Sequence, residues 1–188
     1  MRAGLIVFVF SSLLSSANSE IVYALGTSNT NCKNAAQAYT KKLGELLPQH
    51  EFINGGVDGD KPKWMLNRLK QTLENIPNIK LVIFEPGPNE PNKDENLADA
   101  EKILLFLKSI NMKTIYVSNG VIQNKENAAA LAEKYGATYY GPWTLNVPVD
   151  RENRQYDMRG GPGHMTVKGC ELWAQLMAPV VSQVLENK

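Results

Sequence analysis

The chain has 188 residues, of which 43% are hydrophobic and 21% are charged, an ordinary composition for a globular protein. This length suits one domain with a substantial core and is too short for two domains of typical size. The formal net charge is +1, so the sequence lacks the basic excess that is typical of nucleic-acid-binding proteins. We therefore expect a single globular domain and no nucleic-acid partner.

Residues 1–19 have the pattern of a secretory signal peptide. A short positively charged start precedes Leu5–Leu14, which is apolar apart from two serines, and small residues lead to a cleavage site after Ser19. The apolar run is too short to span a bilayer as a helix of about 20 residues. We therefore expect an exported protein, periplasmic or secreted, whose mature chain of residues 20–188 has no stable membrane insertion. The alternative is a buried N-terminal strand that begins at Gly4.

Short runs typical of β-strands alternate with stretches of helical periodicity along the rest of the chain. This alternation is typical of a parallel sheet with helices on both faces. We predict an α/β fold, a three-layer α/β/α sandwich around a parallel, flavodoxin-like sheet of about five strands. In chain order, the predicted elements are strand Glu20–Leu25, helix 34–47, strand Glu51–Ile53, helix 64–75, strand Lys80–Phe84, helix 97–107, strand Thr114–Val117, helix 128–135, strand Ala137–Tyr140 and helix Thr166–Leu185.

Polar residues and glycines follow the predicted strands at the positions where such folds bind ligands. Ser28 follows the first strand, Gly59 the second and Asn89 the third, while His164 precedes the last helix. Ligands of parallel α/β sheets bind beyond the carboxyl ends of the strands, in the loops that lead into helices. The segment Gly141–Gly163 lacks periodicity, and loops of that length in a small domain are usually functional or mobile.

Ser28 and His164 are the candidate nucleophile and base. A serine hydroxyl becomes a good nucleophile when a base removes its proton, and histidine has a suitable pKa for this near neutrality. The chain has two histidines. His50 precedes a strand at what should be the opposite end of the sheet, and we interpret it as a surface residue. His164 follows a glycine-rich turn, Gly160–Gly163, that can hold its side chain at the active edge.

Four segments, in their order along the chain, resemble the sequence blocks of the SGNH hydrolases, also called GDSL-type esterases. The resemblance implies a serine esterase or deacylase that acts on small esters, acylated sugars or lysolipids and needs no cofactor. It implies Ser28 as nucleophile, His164 as base, and an oxyanion hole formed by the backbone N–H groups of Ser28 and Gly59 and the side-chain amide of Asn89. The four segments are Gly26–Thr30, Ile53–Asp60, Gly87–Glu90 and Gly163–Gly169.

The sequence departs from the family pattern at the acid that usually lies three residues before the histidine, where this chain has Gly161. In a serine protease, loss of the equivalent acid reduces turnover by about 10^4-fold. Three explanations stay open: a Ser–His dyad that uses a backbone carbonyl, a substitute orienting acid such as Asp157, or a loss of catalysis. Thr27 and Glu90 also replace residues that are usually Asp in the family.

The chain has two cysteines, Cys32 and Cys170, which lie shortly after Ser28 and His164 in the sequence. In an exported protein such a pair tends to form a disulfide. If Ser28 and His164 meet, the cysteines would come within bridging range, and the alternative is two unpaired, buried thiols. No Cys-x-x-Cys motif or histidine cluster accompanies them, so we expect no metal site.

Two other functions compete with catalysis. The first is a catalytically impaired binding protein of the same fold, for a carbohydrate or acyl ligand, which Gly161 favours. The second is a flavodoxin-like nucleotide binder, which is disfavoured because no glycine-rich phosphate loop follows a strand.

Four aromatic residues either line an acyl or sugar pocket or pack in the core, and their usual burial favours the core. They are Trp64, Trp143, Tyr139 and Tyr140.

Overall fold

The computed structural model of the chain describes residues 19–118, 123, 125–142, 146–156, 158 and 160–187. All of the predicted signal peptide except Ser19 lies outside these ranges. The described strands are β1 (Ile21–Gly26), β2 (Glu51–Gly56), β3 (Ile79–Phe84), β4 (Lys113–Tyr116), β5 (Thr138–Tyr139), β6 (Arg154–Tyr156) and β7 (Pro162–Met165). The described helices are α1 (Ser28–Asn31), α2 (Ala38–Leu46), α3 (Pro62–Asn75), α4 (Lys93–Ser109), α5 (Lys125–Tyr135) and α6 (Val167–Glu186).

Five strands form one sheet in the order β2-β1-β3-β4-β5. All four neighbouring pairs in this sheet are parallel. This is the strand order of flavodoxin-like folds, in which the connections wind away from the first strand in both directions. The predicted fold class is therefore confirmed.

Helices cover both faces of the sheet because side chains of a strand alternate between its two sides. Val22 and Ala24 of β1 belong to a buried cluster with residues of α2 and α6, where Tyr39 and Trp173 stack with ring centroids 3.9 Å apart. Leu25 of β1 belongs to a second cluster with residues of α3, α4 and α5. None of the helices in the described ranges is both long enough and apolar enough to cross a membrane.

The first predicted helix is wrong at its beginning, because α2 begins at Ala38 instead of Asn34. Between α1 and α2, residues 32–37 include four non-glycine residues with positive φ angles. L-residues adopt this left-handed conformation rarely, and it does not continue a right-handed helix. The loop therefore separates a short helix that begins at Ser28 from the longer α2. The four residues are Cys32 (52°), Asn34 (61°), Ala36 (51°) and Gln37 (60°).

The segment 141–163, predicted as a loop, contributes to an antiparallel ribbon that the sequence did not indicate. β6 pairs with β7, with Arg154 opposite Met165 and Tyr156 opposite Pro162. These strands have three and four residues, too few to produce a recognisable alternation. His164 lies on β7, so it belongs to a strand instead of the predicted turn.

Cys32 and Cys170 form a disulfide, with Cα atoms 6.3 Å apart and a sequence separation of 138. Cys32 is the residue at which α1 ends, and Cys170 lies in the first turn of α6. Of the two alternatives for the cysteines, the structure has the bridged one. The disulfide joins the segment after Ser28 to the segment after His164.

Removing the disulfide should destabilise the protein by about 2–4 kcal/mol, because the bridge restricts the unfolded chain across a long loop. We expect the double variant Cys32→Ala/Cys170→Ala to show this loss in urea unfolding, and alanine avoids burying a new polar group. The control is the wild-type protein unfolded with and without dithiothreitol, after mass spectrometry of the non-reduced chain. Identical unfolding midpoints for the oxidised and reduced proteins would contradict a stabilising bridge.

Candidate active site

Ser28 is held at the carboxyl end of β1, at the start of α1. The preceding residue, Thr27, is the N-cap of this short helix, and its side-chain oxygen accepts the N–H of Asn29 at 3.4 Å. Gly87, in the loop after β3, packs so closely here that a Cβ on it would lie 2.1 Å from a methyl carbon of Thr27. A side chain at Gly87 would therefore displace the loop that carries Ser28.

A buried carboxylate, Glu85, supports this loop from below. Its Oε2 atom accepts hydrogen bonds from the N–H of Thr27 at 3.0 Å, the Thr27 hydroxyl at 2.8 Å and the Thr30 hydroxyl at 3.1 Å. Burial raises the pKa of Glu85, and the hydrogen bonds from Thr27 and Thr30 oppose that effect. Thr27 therefore suits this site better than the usual Asp, which would bring a second carboxylate against Glu85 and could not donate when ionised.

The structure brings Ser28 and His164 into direct contact. The His164 Nε2 atom lies 2.8 Å from the Ser28 Oγ atom, although 136 residues separate them in the sequence. Gln155 on β6 fixes the ribbon in this place, because its side-chain amide donates to the backbone oxygens of Met165 at 2.6 Å and Lys33 at 2.9 Å. The ribbon that carries the imidazole is thus attached to the loop that follows the serine.

His50 lies far from this pair, next to the amino end of β2. Its Nδ1 atom accepts the backbone N–H of Glu20 at 3.3 Å. Glu20 and Glu51 are joined there by a backbone hydrogen bond of 3.0 Å, at the beginning of β1 and β2. His50 thus lies at the expected opposite end of the sheet, although it is half-buried instead of lying fully on the surface.

Burial of His164, together with the charge of Lys33, favours its neutral form. Its pKa is lowered first by burial and then by the positive charge of Lys33, while the negative charge of Asp58 acts in the opposite direction. Lys33 and Asp58 face each other with a nitrogen-to-oxygen distance of 3.7 Å, and Asn31 donates to Asp58 at 3.0 Å. A neutral imidazole can accept the serine proton, so the site is in the protonation state that a base requires.

The β2–α3 loop contains a tight turn at the predicted oxyanion residue Gly59. The N–H of Asp60 donates to the Val57 carbonyl at 3.2 Å, and Gly59 has a φ angle of +77°, which favours glycine. Within the described ranges, the N–H groups of Ser28 and Gly59 make no hydrogen bond. Both therefore remain available as donors to a ligand.

Asn89, the third predicted oxyanion residue, is oriented by the same turn. Its side-chain nitrogen donates to the backbone oxygen of Asp60 at 2.9 Å, which leaves the second N–H of the amide for another acceptor. The neighbouring Glu90 is 6% exposed and pairs with Lys61 at 3.2 Å, and this hydrogen bond lowers the pKa of Glu90. Glu90, where the family usually has Asp, thus fastens the Asn89 loop to the start of α3.

The position of the missing acid is occupied by the half-buried Gly161. The substitute acid considered from the sequence, Asp157, lies outside the described residues. In the part of the chain that is described, no carboxylate is hydrogen-bonded to the Nδ1 atom of His164. The orienting acid therefore stays a prediction, and the three explanations for Gly161 stay open.

The four aromatic candidates have different environments. Trp64 is 54% exposed on the first turn of α3, so the expectation that it packs in the core is wrong. Tyr139 and Tyr140 are partly buried against the two core clusters, and the Tyr139 hydroxyl lies 3.0 Å from the Ser118 hydroxyl. Trp143 lies outside the described residues.

Three charged residues at the site were missed by the sequence analysis: Glu85, Asp58 and Arg68. Glu85 follows an apolar strand directly, and an acid in that place is a usable signal. Asp58 and Arg68 have no such signal, because their relevance depends on which loops lie beside them. Among the described residues, no group of three or more His, Cys, Asp or Glu side chains is placed to hold a metal ion.

The sequence matches no protein-family model and no curated protein sequence. Solved structures, however, have a similar fold. The psychrotrophic esterase EstA from Pseudoalteromonas sp. superposes with a TM-score of 0.75 at 15% identity, over 90% of this chain and 100% of that chain. AlinE4, an SGNH-hydrolase family esterase, superposes with a TM-score of 0.61 at 21% identity, over 90% of this chain and 98% of that one.

A two-domain esterase active on acetylated mannans is similar over one part of its length. Its TM-score is 0.65 at 16% identity, and the match covers 92% of this chain and 51% of that chain. Together with EstA and AlinE4, it shows that this chain has the fold of the SGNH-hydrolase esterases. The predicted resemblance is confirmed at the level of the fold.

The pH dependence of activity should reflect the charges around His164. Because its pKa is lowered and the neutral imidazole is the base, the acid limb of kcat/KM should have its midpoint below the ordinary value of 6.5. Lys33→Met should raise the His164 pKa and move this limb to higher pH, whereas Asp58→Asn should move it to lower pH. Both shifts should shrink in high salt because the two side chains are partly exposed.

The measurement is the pH profile of kcat/KM for the wild type and both variants, with an NMR titration of the His164 ring as an independent readout. Lys41→Met, an exposed lysine on α2, is the matched control and should leave both unchanged. Shifts in the same direction for the Lys33 and Asp58 variants would contradict the electrostatic explanation.

Proposed function

We propose that this chain is an exported serine esterase of the SGNH hydrolase family, which hydrolyses carboxylic esters through an acyl-enzyme on Ser28. The observation that carries the proposal is the 2.8 Å contact between the Ser28 hydroxyl and the His164 imidazole. The contact lies at the carboxyl edge of the sheet, where ligands of this architecture bind. The disulfide supports export, because such bonds persist in oxidising compartments.

The reaction begins when the Oγ atom of Ser28 attacks the ester carbonyl carbon and its proton passes to the Nε2 atom of His164. The carbonyl oxygen becomes an oxyanion, which accepts hydrogen bonds from the N–H groups of Ser28 and Gly59 and from the amide of Asn89. Each such donor is worth about 10²–10³ in turnover. His164 then returns the proton to the leaving alcohol. In the second half of the reaction, His164 takes a proton from water and the water oxygen attacks the acyl carbon. The bond to Ser28 breaks, and Ser28 takes back the proton from His164 as the acid is released.

The dyad arrangement has a specific electrostatic requirement. During attack His164 becomes positively charged, and this charge needs a negative partner because no carboxylate among the described residues binds its Nδ1 atom. Asp58 provides negative charge near the imidazole, and Lys33 limits its effect. The competing proposal is a binding protein with impaired catalysis, which Gly161 favours. Labelling of Ser28 separates these two functions.

We further propose that acylated sugars are preferred over lysolipids. Trp64 exposes its indole ring on the helix turn that follows Gly59, and the Lys61 and Lys63 ammonium groups lie 5.8 Å and 5.3 Å from its centroid. An exposed indole beside hydrogen-bond donors suits a sugar ring, which offers C–H groups on one face and hydroxyls at its edge. A long acyl chain would need a larger apolar surface than Val57 and Trp64 provide on this side.

The esterase proposal is tested by turnover of p-nitrophenyl acetate. We expect wild-type turnover to fall by roughly 10³-fold or more in Ser28→Ala and in His164→Ala, because the two groups act as a unit. Ser109→Ala, an exposed serine on α4, should retain full activity. Labelling by a fluorophosphonate probe should occur on Ser28 of the wild type. If the wild type neither turns over the ester nor labels, the binding-protein alternative replaces the proposal.

The preference for sugars is tested by comparing two substrates. Trp64→Ala should raise KM for an acetylated mannooligosaccharide by about 2–10-fold and leave KM for p-nitrophenyl acetate unchanged, the range expected for one aromatic contact. Trp64→Phe should restore part of the loss. Leu105→Ala, an equally exposed apolar residue on α4, is the control. Equal effects on both substrates would count against a sugar contact.

A further inference from the structure

Arg68 on α3 lies where the loops of the site meet, and the roles assigned above do not use it. Its guanidinium group donates to the backbone oxygen of Gly26 at 3.3 Å and to that of Gly55. It also binds the carboxylate of Asp60 and, at 3.0 Å, the hydroxyl oxygen of Tyr23. Arginine suits such a position because its donors lie in one rigid plane and can bind several acceptors together.

The contact with Asp60 connects Arg68 to two predicted oxyanion donors. Asp60 closes the turn that contains Gly59, through its N–H bond to Val57. Its backbone oxygen accepts the side-chain N–H of Asn89. A movement of Asp60 would therefore shift the Gly59 N–H and release the Asn89 amide together.

The contact with Gly26 connects Arg68 to the nucleophile. Gly26 ends β1 two residues before Ser28, and its backbone oxygen also accepts the N–H of Val57 at 3.0 Å. Arg68 and Val57 thus bind the same carbonyl, one from α3 and one from the oxyanion turn. This shared carbonyl of Gly26 therefore sets the distance between Ser28 and the turn that contains Gly59.

The burial of Asp60 holds its ion pair with Arg68 in one geometry. Asp60 is 6% exposed, and Arg68 is 25% exposed. A buried carboxylate without a partner is strongly unfavourable, so Asp60 must stay on the guanidinium group. Its second oxygen accepts the N–H of Lys61 at 2.9 Å, which leaves the carboxylate little freedom to turn.

We propose that Arg68 and Asp60 are a positioning pair that sets the oxyanion donors Gly59 and Asn89 relative to Ser28. The inference rests on the proposed esterase function, since the donors act on a tetrahedral oxyanion. Stabilisation of that charge depends on donors held about 2.7–3.1 Å from its position. Small displacements of the turn therefore weaken binding of the transition state more than binding of the ester.

The kinetic test compares wild type with Arg68→Lys and Asp60→Asn, two variants that keep polar side chains in place. We expect kcat to fall by roughly 10–10³-fold, the range up to the loss of one donor, while KM changes less than about threefold. Lysine at 68 keeps the charge but cannot bind all four acceptors. Lys70→Met, on the same helix with its ammonium near Phe106, is the matched control and should retain wild-type kcat.

An independent readout follows the Asn89 side-chain amide and the Gly59 N–H by NMR in the same proteins, without substrate. In Arg68→Lys and Asp60→Asn these resonances should shift or broaden, and they should stay in place in Lys70→Met. Thermal unfolding of each variant is measured as well, to establish that the variant is folded at the assay temperature. This readout tests the positioning even if the chain hydrolyses no ester.

The outcomes separate the two proposals. Wild-type turnover with unchanged kcat and unchanged Asn89 resonances in both variants would overturn the positioning pair and leave the esterase function intact. If the wild type shows neither turnover nor fluorophosphonate labelling, but the resonances shift in both variants, the positioning pair is supported and the esterase function is overturned. Equal losses of kcat in the Lys70 control would show a general effect of charge and overturn the positioning role.

Discussion

Strands β2, β1 and β3 lie side by side and run in the same direction. Their carboxyl ends therefore meet at one edge of the sheet, and the loops that leave them must share that space. The connections from β1 and β3 lead into helices on opposite faces, which opens a crevice between the loops. Ser28, Gly59 and Asn89 come from these three strands. Their proximity is a consequence of parallel pairing more than of any single contact.

His164 reaches the same edge by a separate route. The ribbon of β6 and β7 is not part of the main sheet, so it needs its own attachments. Gln155 attaches it to the segment after Ser28, and the disulfide joins that segment to α6. The dyad distance thus depends on restraints that act on both sides of the imidazole. Among the residues that the structure describes, no acid orients the ring, so these restraints carry its positioning.

Three buried acids at the edge have different partners and different electrostatic consequences. Glu85 accepts hydrogen bonds from neutral hydroxyl groups and has a raised pKa. Glu90 pairs with Lys61 and has a lowered pKa. Asp60 pairs with Arg68 at the oxyanion turn. The departures from the family pattern at residues 27 and 90 follow from these arrangements, because each local partner suits the residue that is present.

The sequence by itself determined the fold class, the order of the main strands along the chain and the loops that carry the candidate residues. Hydrophobic periodicity and turn residues are local properties, so they identify strands, helices and their ends without a structure. The same local signals failed for α2, where left-handed residues delay the helix, and for the ribbon, whose strands are too short. They also failed for Trp64, because burial depends on what packs against a side chain.

Only the tertiary structure decided that Ser28 and His164 lie 2.8 Å apart across 136 residues, that the cysteines are bridged, and that Arg68 contacts the ends of both β1 and β2. Contacts of this kind depend on how distant elements pack. A residue such as Arg68 on a helix has the same local sequence signal whether it faces solvent or a carboxylate. Its partners are set by the sheet order and by the curvature of the loops, which no local pattern encodes.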